Sequence, residues 1–226
     1  MEREHIVKQY DTELNDIRTK LLEMGGKVET MISNSLKALV NRDSELAEQT
    51  VKSDYEINHL EVETDEKCLE VLARWQPTAR DLRFLTLALK IVTDLERMGD
   101  QCVSIATRVK ELNEEPPLKP YIDLPRLADA SGIMVKEALD AFVRGDEKLA
   151  LKVCEDDQFV DELNIQIQRE LLTFMMEDPS TISRAIKLNY ISKYLERIAD
   201  HATNVAEMVI FMIKGKDIRH TSAANN

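Results

Sequence analysis

Apolar residues recur along this chain with a helical period. Leu82, Leu85, Leu89, Val92, Leu95, Cys102, Ile105 and Val109 stand three or four residues apart, or at sums of these, which lays them in one stripe. Leu188, Ile191, Leu195, Ile198, Ala202, Val205, Val209 and Met212 form a second such stripe. Prolines fall between the periodic segments, at Pro77, Pro116, Pro117, Pro120, Pro125 and Pro179. A proline inside a helix loses a hydrogen bond and clashes, so these positions mark turns. The pattern predicts helices over 3–41, 44–75, 79–112, 124–144, 147–177 and 180–214. Asp43, Thr78 (with Asp81 three residues on), Asp123, Asp146 and Asp178 are the expected caps.

An internal repeat organises these helices. Leu95-Glu-Arg-Met-Gly-Asp100 returns 100 residues later as Leu195-Glu-Arg-Ile-Ala-Asp200. At an offset of 103, Asp43, Leu46, Ala47 and Asp54 fall on Asp146, Leu149, Ala150 and Asp157. The second copy is therefore three residues shorter near Pro179. Such self-similarity divides six helices into three plus three. The expected fold is all-α, two tandem three-helix bundles: a first repeat over 1–112, a linker over 113–122, a second repeat over 123–215 and a tail over 216–226.

Composition narrows the function. The chain carries 42 acids against 30 bases, a formal charge of −12. That leaves no basic footprint for nucleic acid or anionic lipid, whereas cations or basic partner surfaces suit it. No apolar run approaches the ~20 residues that span a bilayer, and the charged N-terminus lacks the apolar core of a signal peptide. Cys68, Cys102 and Cys154 are odd in number and widely spaced, as expected of reduced cytoplasmic thiols.

The repeated motif carries the candidate chemistry. Glu96 and Asp100 project from one helix face, one turn apart, and Glu196 and Asp200 repeat the arrangement. Single pairs of this kind are common on solvated faces. A second pair, however, stands opposite each: Asp54 and Asn58 in the first repeat, Asp157 and Asp161 in the second. Counted from Pro77, Asp54 lies 23 residues before and Asp100 23 after, while Asn58 and Glu96 lie 19 before and after. Counted from Asp178, Asp157 and Asp161 lie 21 and 17 before, and Glu196 and Asp200 lie 18 and 22 after. At ~1.5 Å per residue the facing pairs share one height, although height leaves helix rotation open. Converging oxygens would favour Mg²⁺, Ca²⁺, Mn²⁺ or iron over copper or a structural zinc.

Neighbouring residues have plainer readings. His201 points about 100° away from Asp200 and reads as a surface or interface histidine. Arg97 and Arg197 read as partners in helix-face ion pairs, and the small Gly99 and Ala199 fit either close helix approach or room for a ligand.

Around Leu195-Glu-Arg-Ile-Ala-Asp-His-Ala-Thr-Asn-Val-Ala-Glu207 the chain resembles the PhoU family, bacterial phosphate-transport accessory proteins. Further matching stretches are Met24-Gly-Gly-Lys-Val-Glu29, Gln76-Pro-Thr-Ala-Arg-Asp-Leu-Arg83 and Tyr10-Asp-Thr-Glu-Leu14. The resemblance covers nearly the whole chain. It implies a cytoplasmic homodimer or higher oligomer, without catalytic residues, that binds metal (iron, manganese, magnesium or zinc) at its acidic motifs. It also implies negative regulation of phosphate uptake and starvation signalling, between the phosphate ABC transporter ATPase and a sensor histidine kinase. Contact with the membrane would then come only through those partners. The first repeat departs from the family pattern, with Gln101, Ser104 and Thr107 where the second has His201, Asn204 and Glu207, and with Asn58 in place of an acid. A competing reading is a di-metal carboxylate oxidase or ferroxidase, but such sites usually use Glu-x-x-His pairs plus lone glutamates, whereas the paired acids here are spaced by four. A helical scaffold without metal is the third.

Overall fold

In the computed structural model, residues 2–214 are described, with side chains from residue 8 onward. The expected tail, 216–226, lies outside them. Six long helices run α1 (Glu2–Asn41), α2 (Ser44–Trp75), α3 (Ala79–Asn113), α4 (Asp123–Arg144), α5 (Glu147–Glu177) and α6 (Ile182–Lys214). A 3-10 turn, Pro179–Thr181, leads into α6 where the periodic pattern predicted continuous helix. No described helix is long and apolar enough to cross a membrane.

The turns show how the repeat was kept. Arg42 and Gly145 occupy the same place in the two copies, and both take a left-handed backbone, at φ 57° and 65°. Behind each, an aspartate caps the next helix: Asp43 accepts from the Leu46 amide, and Asp146 from those of Lys148 and Leu149. Gly145 adopts that backbone without the Cβ penalty that Arg42 meets. Asp178 accepts from the Ser180 amide as predicted. Two expected caps fail. Thr78 is extended but makes no side-chain hydrogen bond to α3, and Asp123 is the first residue of α4, not its cap. Asp123 pairs instead with Arg126 and accepts from Gln166.

Each repeat is a three-helix bundle, and the two join through α3 against α6 and α1 against α4. Asp94 meets His201 while Arg108 lies over the Tyr190 ring, so α3 and α6 cross antiparallel. The helices α2 and α5 stand on opposite flanks and pack only against helices of their own repeat. The stripe of α6 is buried throughout. In α3, Leu82 departs from its stripe and lies 42% exposed near the helix start. Gly25 allows α1 to approach α4, since a Cβ there would collide with Leu139. The linker is a strap and not a tether: Arg184 donates to the Pro116 carbonyl, and Glu115 and Lys119 pair with Lys187 and Glu170.

Candidate metal centre

In the first hairpin, Ile57, Leu60, Thr64 and Cys68 are buried, and this face fixes the rotation of α2. Asp54 is thereby turned toward α3. Gly99 lets the two helices close: a Cβ there would stand 3.0 Å from Ile57 Cδ1 and 3.2 Å from Asp54 Oδ1. Of the two readings open for this residue, close approach holds. Asn58 donates to Asp54 Oδ2 at 2.9 Å, and Asp54 Oδ1 is buried with no partner.

The charges on the two helices act on one another. Burial raises the Asp54 pKa, with Asp100 adding and Asn58 opposing. Glu96 is raised by burial first, then by Asp100, with Glu61 and Asp54 adding across the hairpin. Arg97 bridges the motif, 3.5 Å from Glu96 and 3.3 Å from Asp100, as its ion-pair reading predicts.

The second hairpin buries one of its acids more deeply. Glu196 is buried at 8% exposure; one carboxylate oxygen accepts from Lys193, and Oε2 has no partner. Asp157 is pushed up to about 6, by burial first, then by Asp161, Asp200 and Glu196. Asp200 is also raised, by burial, Glu196 and Asp161, against Lys193. All eight residues singled out in the sequence thus stand in two groups, one per hairpin, with facing pairs on the same side.

Three contributors escaped the sequence reading. Glu61 and Asp65 lie seven and eleven residues beyond Asp54, on the same side of α2. Glu61 is raised by burial, Asp65 and Asp100, and Asp65 keeps a buried oxygen without a partner. Their spacing was the available signal. Lys193, on Glu196, is the third. His201 turns to Asp94, at 2.8 Å, and so lies at the junction between repeats. Cys154 is pushed up to about 11 by burial, Glu207 and Asp157, which keeps it a protonated thiol and a poor ligand.

The donors suit a hard, oxygen-preferring cation in kind: clustered carboxylates, three of which (Asp54, Asp65 and Glu196) hold buried oxygens without partners. Among the described residues, no three His, Cys, Asp or Glu side chains are gathered closely enough to hold an ion as they stand. Arg97 and Lys193 supply the neutralising charge in this arrangement. A cation would compete with both for the carboxylates.

A protein-family description, the PhoU domain, matches residues 21–109 and 124–209, spans that contain both acidic groups. The chain is 44% identical over 217 residues to the phosphate-specific transport system accessory protein PhoU homolog of Pseudomonas aeruginosa, covering 96% of this chain and 90% of that one. It is 36% identical over 216 residues to the accessory protein PhoU of Escherichia coli K12, covering 96% and 90%. The crystal structure of PhoU from Pseudomonas aeruginosa superposes with a TM-score of 0.88 at 43% identity, over 92% of this chain and 100% of that one. The phosphate transport system regulatory protein PhoU from Streptococcus pneumoniae gives 0.85 at 29% identity, over 92% and 99%.

Proposed function

The chain belongs to the PhoU family, and on that premise we propose that it serves as accessory protein to a phosphate-specific transport system. In this reading it restrains phosphate uptake and phosphate-starvation signalling. It acts in the cytoplasm as a homodimer or higher oligomer, an adaptor between the transporter ATPase and the sensor histidine kinase. The carrying observation is the 44% identity, over nearly the full length of both chains, to a protein named for that role.

The acidic hairpins fit a regulator better than a catalyst. A cation would be held by Asp54, Asn58, Glu96 and Asp100 in one repeat, and by Asp157, Asp161, Glu196 and Asp200 in the other. Once bound, it would supply positive charge that offsets the repulsion among these carboxylates. The oxidase reading gains no ligand from His201, the imidazole adjoining the second motif, because Asp94 engages it.

Deletion of the gene tests the reading. Phosphate-starvation genes should then be expressed even in high phosphate, and the wild-type chain should restore repression. Normal repression in the deletion strain would refute the assignment.

A further inference from the structure

The acidity of this chain is not evenly spread. Helix α2 carries nine acids against three bases and α5 eight against three, whereas α3 and α6 carry slightly more bases than acids. Almost the whole net charge therefore lies on the two flanking helices, each of which packs only against helices of its own repeat.

These helices also leave apolar side chains in water. On α2, Tyr55, Val62 and Leu69 are 73%, 55% and 58% exposed; on α5, Ile165 and Leu172 are 45% and 55% exposed. Single exposed apolar residues are ordinary. These are spaced by seven, which places them in one narrow stripe of the kind that receives another helix. The internal repeat adds weight: at the offset of 103, Val62 falls on Ile165 and Leu69 on Leu172. Core positions recur because packing demands it, but nothing in the monomer's core requires these. Tyr55 is not kept, its counterpart being Gln158.

Charge identifies what would cover the stripes. On α2 the row Asp54, Asn58, Asp65 lies roughly 40–80° to one side, counting 100° per residue. On the other side Glu56 and Glu63 are answered by Lys27 and Lys20 of α1, while Glu66 remains exposed. On α5, Asp157 and Asp161 flank the stripe in the same sense. An occupant must bring apolar groups at heptad spacing and positive charge on at least one flank.

We propose that α2 and α5 are two repeat-related docking edges, each receiving a basic amphipathic helix from a partner protein, although the exposed Glu66 of α2 is replaced by Arg169 on α5. Two edges on opposite flanks give one chain the valence to hold two such helices at once. The inference stands on these faces and does not depend on the phosphate reading.

The test uses the full chain, chelator-treated, and a synthetic helix of about four heptads with Leu at the a and d positions and Lys elsewhere. Amide chemical shifts should change along α2 and α5. A peptide of identical composition, scrambled to remove its stripe, should bind at least about tenfold more weakly. Val62→Ser with Leu69→Ser should silence α2 alone, and Ile165→Ser with Leu172→Ser should silence α5 alone, each without lowering the melting temperature. Equal binding of the scrambled peptide would reduce the interaction to bulk charge and overturn the proposal. Shifts confined to the groove of about 730 Å³ between α1 and α4, lined by Leu36, Val40, Pro125 and Ile133, would do so too. If sedimentation shows self-association that the same variants abolish, the faces belong to a second copy and the proposal fails.

Discussion

In the first hairpin the acids run along three turns of α2, from Asp54 through Glu61 to Asp65, and the first two act on Glu96 and Asp100. In the second they crowd into two positions of α5, Asp157 and Asp161, opposite the buried Glu196 and the more open Asp200. Where the first repeat has Glu61 and Asp65, the second has Asn164 and Gln168. Asn164 is buried and accepts a 2.5 Å hydrogen bond from Ser192, so a neutral lock replaces a charge. Of the two groups, the one with fewer acids contains the strongest perturbation, Asp157 at about 6. Exclusion of water matters more than the number of carboxylates.

The largest expected effect tests whether either group holds a cation. Mn²⁺ or Fe²⁺ added to chelator-treated protein should stabilise it by about 2.7 kcal/mol at a hundredfold excess over the dissociation constant. Glu196→Gln with Asp200→Asn should melt higher than the chelated parent, having lost the repulsion. It should also lose the second hairpin's share of the metal response. Equal responses of parent and variant, followed by thermal unfolding, would mean that these two residues hold no metal.

The neutral lock should come next. Asn164→Ala strands the buried Ser192 hydroxyl and opens a small void, and should cost about 2 kcal/mol in denaturant unfolding. Glu61→Ala, at the matching place, should leave stability unchanged or slightly higher, because it removes a repelling charge. Similar losses at both sites would erase the distinction between the hairpins.

A pH series sharpens it further. The Asp157 pKa is raised on folding from the ordinary 3.8 to about 6. The native chain therefore holds this proton more tightly than the unfolded chain does. Stability from this group is lost as pH rises through 6 and regained as it falls toward 3.8. In chelated protein, Asp157→Asn should be more stable than the parent above pH 6, by about 1 kcal/mol after solvent screening. The difference should vanish near pH 4. Asp54→Asn should follow the same direction more weakly, as only a rise without large displacement is found there.

The smallest effect compares the two small motif residues. Ala199→Gly should cost about 1 kcal/mol through helix propensity. Gly99→Ala should change stability by less than about 0.5 kcal/mol, since the propensity gain is offset as Ile57 and Asp54 yield by a few tenths of an ångström. Matching melting curves will show whether the glycine is needed for close approach only in the first repeat.

The helices were legible because proline and the 3.6-residue period act locally. Asp43, Asp146 and Asp178 cap as their sequence predicts, since a cap needs only its own turn. Thr78 does not, because the left-handed Gln76 and Ala79 on either side shape that turn differently. Equal height of the acidic pairs followed from counting residues. Their facing did not, because rotation of α2 depends on which side Ile57 and Leu60 bury. The Asn164–Ser192 bond and the Asp94–His201 contact join residues 28 and 107 positions apart, and no local pattern signals them.

That last contact bears on how a duplicated chain recognises its own other half. The repeat maps Asp94 onto Tyr194 and His201 onto Gln101. Two first halves joined in the same way would set Asp94 against Gln101, and two second halves would set Tyr194 against His201. Only the mixed pair brings a carboxylate to an imidazole. Sister units of one repeat thus differ at this contact, where each half meets its unlike sibling through a pair that two copies of either half would lack. Separately expressed halves, mixed in solution, should sort into unlike pairs.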